Sequence, residues 1–398
     1  MRTRRILPVP VMLILPLVGC APKAVSPIGP GSTFQPEEKE QRLWQVAERD
    51  SRILQSKGIL REDRALDEYV NSVLARLLKP DEAAYKPLTA RVYVINCPVV
   101  NAFALPNGDI FLHSAILGRI RNEAQLTMLL GHEITHSIHR HAYQEYEDAY
   151  ARTATASYVS VLSTVGGGDV ANMVSGLSAL VTQAGISGYS RDKERESDRG
   201  GLTLMSYAGY DPAEGAKFFQ NILDAADKKD LRFNALYATH PKMQQRLEVC
   251  TELAKEMLPN LPGNAKDKGT DRYIKAATPL IHADIERQIA RGKYTLAESS
   301  VLFLLENQPN DATAFAYRGE ICRARNGNND LKQAREAYTK AIALDDKQSV
   351  ALRGLGFLCL KEGAKGEAVK YLKAYVSSSP NATDRAYVQQ TINNLDSK

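Results

Sequence analysis

The strongest constraint in this sequence is a His-Glu-x-x-His pentapeptide formed by His132, Glu133 and His136. The run before it, residues 123–130, has apolar side chains at 126, 129 and 130 and predicts a helix with one buried stripe. Residues four apart lie on the same helix face, so both imidazoles can reach one point. A catalytic zinc site takes three protein ligands and leaves one position for water. The pattern therefore predicts a helix that carries two zinc ligands, with Glu133 as the base that acts on the water.

The third ligand must come from another segment, and the acidic run after Tyr189 is the candidate. Glu194 and Asp198 are four residues apart, so both can face the metal helix from a second helix. One carboxylate can bind zinc while the other accepts a hydrogen bond from the free N–H of a ligand imidazole. The alternative for such a run is a solvent-exposed charged helix face. Glu196 points elsewhere on this helix and is left out of the ligand set.

Two segments give the chain a family resemblance: residues 101–111, Asn-Ala-Phe-Ala-Leu-Pro-Asn-Gly-Asp-Ile-Phe, and residues 131–141, Gly-His-Glu-Ile-Thr-His-Ser-Ile-His-Arg-His. Together they resemble the HtpX, BepA and CAAX-prenyl-protease type of zinc metallopeptidase. Residues 189–198 match the ligand helix of that family, with Ser197 in place of its usual alanine. The resemblance implies one Zn²⁺ per chain, held by His132, His136 and Glu194.

A third match is Thr239-His240-Pro241, followed by Arg246. The resemblance implies that His240 either donates to the developing oxyanion or occupies the open zinc position in a resting state. The first arrangement stabilises the tetrahedral intermediate, whereas the second silences the enzyme. The sequence does not choose between them. Arg246 is expected to support the site together with Asp198, or else to be a helix-surface arginine. His139 and His141 are interpreted as structural residues or as support for the site.

The segment before the metal helix predicts a small sheet with an open edge. Residues 90–96 alternate as a strand, and Asn107-Gly108 predicts a tight hairpin turn between two further short strands. Pro106 favours an edge position, because proline has no N–H for a central ladder. An extended substrate would add to this edge as a further strand. The candidate substrate-binding residues are Asn101, Ala102, Phe103 and Ala104.

The N-terminus has the pattern of an export signal. Residues 1–19 combine three arginines with a short, proline-interrupted apolar run that is too short to span a bilayer. The run ends in Leu-Val-Gly before Cys20, which resembles a bacterial lipoprotein box and implies lipidation of Cys20. The alternative is an ordinary signal peptide with an incidental cysteine. Residues 20–36 would form a lipidated tether, and Ala21 is typical of lipoproteins on the periplasmic side of the outer membrane.

Composition describes two soluble domains, with 44% apolar and 24% charged residues in a chain of 398. The formal net charge is +5, and three of the basic residues belong to the first five positions. No basic stripe follows, so nucleic acid is not predicted as a partner. The cysteines after position 20 form no Cys-x-x-Cys pair and indicate neither a redox motif nor a thiolate zinc site.

After residue 262 the composition changes through a Gly-, Lys- and Asp-rich linker, residues 263–277. The pattern Ala334, Tyr338 and Ala341 recurs 34 residues later and resembles tetratricopeptide repeats, about three of them over residues 278–398. Such arrays bind peptides or protein partners on a concave face, although a purely structural appendage is the alternative. Cys322 and Cys359 occupy equivalent positions. We expect both thiols unpaired and buried, because packed helix axes lie about 8–10 Å apart, whereas a disulfide needs Cα atoms within about 7 Å.

Residues 153–190 separate the two predicted ligand helices and carry a Gly166-Gly167-Gly168 run among small and polar residues. Two packed helices joined by a glycine turn are the plain interpretation. The alternatives are a lid over the cleft with the glycines as hinge, or a weak contact with lipid.

These patterns predict an α+β, mostly helical protein. A zincin-like domain over residues 37–262, with a small edge sheet, would precede the helical repeats. The resemblance implies an endopeptidase of the bacterial cell envelope that acts on misfolded or unassembled envelope proteins. The repeats would then recruit substrate or the outer-membrane assembly machinery. The alternative is a latched, chaperone-like adaptor in outer-membrane protein assembly with little proteolysis, and a third reading is a zinc hydrolase of a non-peptide substrate.

Overall fold

The computed structural model describes residues 25–29, 34–79, 85, 87–88, 90–148, 189–224, 243–257 and 266–396. Within these ranges the chain is mainly helical. The helices of the first part are α1 (Glu38–Ser56), α2 (Arg64–Leu78), α3 (Ser114–Leu117), α4 (Glu123–Ile138), α5 (Arg191–Tyr207), α6 (Ala213–Asp224) and α7 (Met243–Met257). The helices of the second part are α8 (Thr270–Ala290), α9 (Tyr294–Asn307), α10 (Ala312–Arg325), α11 (Asp330–Leu344), α12 (Ser349–Lys361), α13 (Lys365–Ser378) and α14 (Arg385–Asp396).

Three short strands form one sheet with the order β1-β3-β2: β1 (Val92–Ile95), β2 (Ala102–Ala104) and β3 (Ile110–His113). β1 pairs with β3 in parallel, and β2 pairs with β3 antiparallel, with Phe103 opposite Phe111. The predicted hairpin at Asn107-Gly108 is confirmed, and Gly108 takes the positive φ of 97° that the turn needs.

The prediction of an α+β, mostly helical fold is confirmed. Among the described residues no helix is both long and apolar enough to cross a bilayer.

The metal helix α4 is buried along its whole length. The sequence predicted a single buried stripe, and the difference arises because other elements cover the polar face as well. α5 packs on that face, while α2, α6 and the sheet pack on the remaining sides. The helix begins at an Asn122 cap, whose side chain accepts a hydrogen bond from the Gln125 N–H. The His-Glu-x-x-His motif therefore lies in the interior of the domain.

Helices α4 and α5 approach each other so closely that their backbones touch. A Cβ atom added to Gly201 would lie 2.9 Å from the His132 nitrogen, and one added to Gly131 would lie 2.9 Å from the Gly201 Cα. Both glycines are needed for this contact, because any larger side chain would separate the helices. The close approach brings the first turns of α5 against the histidine face of α4.

One cluster of polar groups fixes the start of α4 to its surroundings. The Glu123 carboxylate accepts hydrogen bonds from Tyr210 (2.7 Å) and Tyr69 (2.9 Å). Arg272, on α8, donates to the same carboxylate at 2.7 Å. Since Glu123 is only 3% exposed, these donors compensate a charge that burial would otherwise penalise. The metal helix is thereby attached to α2, to the segment after α5 and to α8.

The C-terminal region is helical from α8 to α14, and consecutive helices pack on each other. α8 begins at Thr270, so the second half of the predicted linker 263–277 is helical. Tyr273 of α8 donates to the Leu117 carbonyl, and apolar residues of α8 belong to the same core as the metal helix.

Cys322 and Cys359 are unpaired and buried, as predicted. The tetratricopeptide organisation and the domain limits stay predictions.

We expect Gly201→Ala to lower the free energy of unfolding by about 1–3 kcal/mol, because the added methyl group forces the α4 and α5 backbones apart. The same displacement moves Glu194 away from the two histidines, so zinc affinity should fall as well. Urea unfolding of the metal-free protein and competition with a chromophoric chelator measure the two effects.

Gly366→Ala is the matched control, because a Cβ at this helical glycine of α13 meets nothing within 4 Å. It should change stability by less than about 1 kcal/mol and leave zinc affinity unaltered. Equal effects of the two substitutions would contradict the importance of the α4–α5 contact.

Candidate metal centre

The structure brings His132, His136 and Glu194 together around one point. The two Nε2 atoms are 3.2 Å apart, and each lies 3.6 Å from a Glu194 carboxylate oxygen. A tetrahedral ion about 2.1 Å from each donor places neighbouring donors about 3.4 Å apart. The spacing and the nitrogen and oxygen chemistry therefore fit one small divalent ion. All three side chains are buried, and the solvated-face alternative for Glu194 is wrong.

Local sequence explains how the third donor reaches this point. Ser190 caps α5, since its side chain accepts from the Lys193 N–H, and the helix therefore begins three residues before Glu194. Lys193 also pairs with Glu145 at 2.7 Å, which holds the start of α5 against the segment that follows α4. A carboxylate in the first turn of a helix is further stabilised by the helix dipole.

Asp198 and Arg246 both contact the His132 imidazole. Asp198 Oδ1 lies 3.0 Å from His132 Nδ1 and accepts from Arg246 Nη2 at 2.6 Å. Arg246 also approaches Glu194 at 3.3 Å. With Asp198 as acceptor, the His132 proton stays on Nδ1 and Nε2 keeps its lone pair for a metal. The helix-surface alternative for Arg246 is wrong, because this side chain is 6% exposed.

The charges of this cluster compensate one another. Burial raises the pKa of the Asp198 carboxyl, but Arg246 and His132 outweigh it and hold the pKa below its usual value. Burial likewise lowers the pKa of Arg246, and the carboxylates of Asp198 and Glu194 raise it above its ordinary value. Asp198 is therefore an acceptor and Arg246 a cation throughout the neutral range.

His141 lies on the far side of His136. Their Nδ1 atoms are 2.9 Å apart, and His141 Nε2 is 3.0 Å from Glu196 Oε2. Burial lowers the pKa of His141 to about 4, although its hydrogen bond to Glu196 opposes this shift. Helix spacing alone pointed Glu196 away from the site. The contact arises because Arg140, with φ of 60°, turns the chain back after α4 and places His141 beside α5.

Tyr189 covers the face of the His136 ring, and sequence reasoning had assigned it no function. The two ring centroids are 4.2 Å apart at an interplanar angle of 19°. Burial, and then the charges of Glu133 and Glu194, raise the pKa of the Tyr189 phenol, so it remains protonated. Glu133, the predicted base, is itself only 2% exposed.

The edge of the sheet lies next to the metal helix. Ser137 of α4 donates to the Leu105 carbonyl at 3.0 Å, and Ala104, Leu105, His136 and Tyr189 line one small cavity. Phe103 stacks on Phe111, with centroids 5.2 Å apart. Of the other predicted site residues, Cys20 and His240 lie outside the described residues, as do nearly all of residues 153–190.

Backbone hydrogen bonds show which residues of β2 pair with β3. Leu105 N donates to Asp109 O and His113 N donates to Asn101 O, so residues 101, 103 and 105 face β3. In an antiparallel pair the intervening residues point their N–H and C=O groups the other way. Ala102 and Ala104 therefore direct their backbone groups away from β3, toward the outer edge of the described sheet.

We expect Arg246→Ala to destabilise the metal-free protein by about 3–5 kcal/mol, because it leaves two buried carboxylates without their cation. Arg246→Lys keeps the charge but loses the planar fork, so its loss should be smaller. Urea denaturation with chelator present measures both. An unchanged midpoint for Arg246→Ala would mean that the carboxylates are solvated in solution.

Comparison with known proteins agrees with this geometry. The sequence model of peptidase family M48 matches residues 64–254. The beta-barrel assembly-enhancing protease of Escherichia coli K12 is 25% identical over 387 residues, covering 87% of this chain and 76% of that protein. The mitochondrial metalloendopeptidase OMA1 of Schizosaccharomyces pombe is 30% identical over 185 residues, covering 46% of this chain and 52% of that protein. The human OMA1 metalloendopeptidase is 27% identical over 243 residues, 59% of this chain and 46% of that protein.

The matched segment contains α4, α5 and Arg246, which build the candidate metal centre, and β2, which lies beside it. The matched proteins are named as proteases and metalloendopeptidases. Residues 64–254 therefore form a peptidase family M48 domain, and the chain is a zinc metalloendopeptidase.

Proposed function

We propose that this protein is an endopeptidase of the bacterial cell envelope that hydrolyses misfolded or unassembled envelope proteins, with its zinc on His132, His136 and Glu194. The observation that carries the proposal is the buried donor set, in which the two Nε2 atoms lie 3.2 Å apart and each lies 3.6 Å from a Glu194 carboxylate oxygen. Similarity to the beta-barrel assembly-enhancing protease over 87% of this chain supports the envelope assignment.

The chemistry divides between the ion and the side chains around it. Bound zinc supplies a Lewis acid that polarises the scissile carbonyl and lowers the pKa of water. Glu133 accepts the proton of the attacking water and returns it to the leaving amine. Asp198 holds His132 in the tautomer that leaves Nε2 available, and Arg246 keeps Asp198 ionised. Tyr189 shields the His136 ring from one side.

His240 is the remaining candidate for catalysis. As a donor to the oxyanion it stabilises the transition state, and as an occupant of the open zinc position it keeps the enzyme latched. The two possibilities predict opposite effects of removing it, so one substitution separates them.

The outer edge of β2 is the proposed substrate site, through Asn101, Ala102, Phe103 and Ala104. An extended peptide that adds to this edge would form main-chain hydrogen bonds with Ala102 and Ala104. Ala104 and His136 line the same small cavity, which supports a substrate strand that passes beside the metal centre. Recognition through main-chain groups suits unfolded proteins of varied sequence.

The remaining parts of the chain would bring enzyme and substrate together. Lipidation of Cys20 would hold the protein on the periplasmic side of the outer membrane. Helices α8–α14, interpreted as tetratricopeptide repeats, would recruit substrate or the outer-membrane assembly machinery. The similar protease is named for β-barrel assembly, which supports recruitment of this machinery.

Peptidase activity is tested with the chain from residue 21 onward and an unfolded model protein as substrate. We expect wild type or His240→Ala to cleave it, and Glu133→Gln to bind zinc without cleaving, because only the proton acceptor is lost. Gel analysis and zinc quantification by mass spectrometry provide the two readouts.

The outcome for His240→Ala assigns the histidine: a gain of activity identifies a latch, and a loss identifies the oxyanion donor. If all three proteins hold zinc and none cleaves, the proposal fails and the adaptor alternative replaces it. If Glu133→Gln cleaved the substrate at the wild-type rate, Glu133 would not be the proton acceptor.

The edge-strand site is tested by Ala104→Pro, which removes one outward N–H and leaves the hydrogen bonds to β3 in place. Loss of one net hydrogen bond, about 0.5–1.5 kcal/mol, should lower kcat/KM by up to about tenfold. Ala104→Val, which keeps the N–H, is the matched control. Zinc content should be unchanged in both, and equal kcat/KM values for the two variants would exclude the strand-addition site.

A further inference from the structure

The contacts of His141 account for both of its ring nitrogens. Nδ1 faces His136 Nδ1 at 2.9 Å, and Nε2 faces the Glu196 carboxylate at 3.0 Å. The ring is fully buried, whereas the Glu196 side chain is 54% exposed. A line of polar groups therefore runs from the buried metal centre to the protein surface through His136, His141 and Glu196.

Proton positions along this line follow from one condition. His136 Nε2 points at His132 Nε2 and Glu194, so it must keep its lone pair to bind a metal, and its proton is then on Nδ1. That N–H donates to His141 Nδ1, which must be an acceptor. The His141 proton is consequently on Nε2, where Glu196 accepts it. Every donor in this arrangement faces an acceptor, whereas the opposite tautomer of His141 would turn a lone pair toward the carboxylate.

Other contacts hold His141 in position for this purpose. Arg140 adopts a positive φ and forms two hydrogen bonds with the buried Glu40 carboxylate, at 2.8 and 2.6 Å. This ion pair holds the turn after α4 in place. It therefore also sets the position of His141, the first residue of the next helical segment. Tyr189 lies against the face of His136, with ring centroids 4.2 Å apart. The His136 ring is thus constrained by a hydrogen bond at one edge and by an aromatic ring on its face.

The same residues allow a second interpretation. His139, His141 and Glu196 offer ligand atoms within 4.8 Å of one another, which is close enough for a second metal ion. However, a metal on His141 Nε2 would move its proton to Nδ1, opposite the proton that His136 carries when its own Nε2 binds zinc. Two N–H groups would then face each other at 2.9 Å. Occupation of both sites conflicts with the observed geometry, so the hydrogen-bonded line is favoured.

We propose that His141 is a positioning residue for the metal centre and that Glu196 orients it, so that the two together fix the tautomer and ring orientation of His136. The inference rests on the proposed assignment of His136 as a zinc ligand. It gives each of the two histidine ligands its own carboxylate support, Asp198 directly for His132 and Glu196 through His141 for His136. Such partners commonly change metal affinity by about 10–100-fold when removed.

The decisive comparison is His141→Leu against His141→Asn in the full chain. Asparagine can place its side-chain oxygen near the position of Nδ1 and keep an acceptor for His136, whereas leucine fills the buried space without one. We expect His141→Leu to weaken zinc binding by about 10–100-fold, and His141→Asn to remain within about threefold of wild type. Competition with a chromophoric chelator measures affinity, and the visible spectrum of the Co²⁺-loaded protein reports the ligand geometry.

A purely structural His141 predicts the reverse order, because leucine packs well in a buried site and asparagine does not. Thermal unfolding of the metal-free proteins separates this effect from metal binding. If His141→Leu binds zinc like wild type, or binds it better than His141→Asn, the positioning assignment is overturned.

Glu196→Ala tests the outer end of the line, with Asp192→Ala as the matched control. Both are exposed carboxylates on α5, and Asp192 is 92% exposed and lies 3.9 Å from Arg195. We expect Glu196→Ala to weaken zinc binding by up to about tenfold and Asp192→Ala to leave it unchanged. Equal effects would mean that Glu196 acts only through its negative charge, as any nearby carboxylate would, and would contradict the proposal.

Metal stoichiometry distinguishes the remaining outcomes. One tight zinc ion in wild type, lost in His136→Ala, is expected. A second zinc ion that disappears in Glu196→Ala while the first is retained would show a metal site at His139, His141 and Glu196 and overturn the positioning assignment. Wild type without any tight zinc would defeat the proposed function itself, independently of the behaviour of the His141 variants.

Discussion

The metal centre depends on the backbone contact between α4 and α5. Gly131 and Gly201 let the two helices approach until an added Cβ would lie 2.9 Å from the opposite backbone. Two of the candidate ligands come from one helix and the third from the other, and a metal site tolerates displacements of only a few tenths of an ångström. A contact made through backbone atoms is well suited to that demand, because it has no rotatable side chain to relax.

Buried charge is the second constraint, and it connects stability with function. Glu194 and Asp198 lie in the interior with Arg246 between them, so the cluster carries more negative than positive charge until a divalent cation is added. An ion that binds the folded chain supplies the missing charge and stabilises the fold by mass action. Arg246 approaches both carboxylates, and each candidate histidine ligand contacts a further group through its Nδ1 atom.

Much of the fold and of the site follows from local sequence patterns. The spacing of His132 and His136 determines a shared helix face, and the spacing of Glu194 and Asp198 does the same for the second helix. Asn107-Gly108 determines the hairpin that orders β2 and β3. These features are predictable because they depend on helical or strand periodicity over a few residues. The unpaired state of Cys322 and Cys359 follows equally from the spacing between packed helices.

Local sequence patterns predict the candidate ligands, the helices that carry them and the small edge sheet. The burial of α4 on every side, the position of Arg246 between two carboxylates and the stacking of Tyr189 on His136 depend on tertiary packing. The same packing brings Glu196 to His141, although helix spacing had pointed it away. The physical reason is that these contacts join segments far apart in the chain, and their geometry is set by packing and by the turn at Arg140. Periodicity reports which face a residue occupies, but not what another segment places against that face.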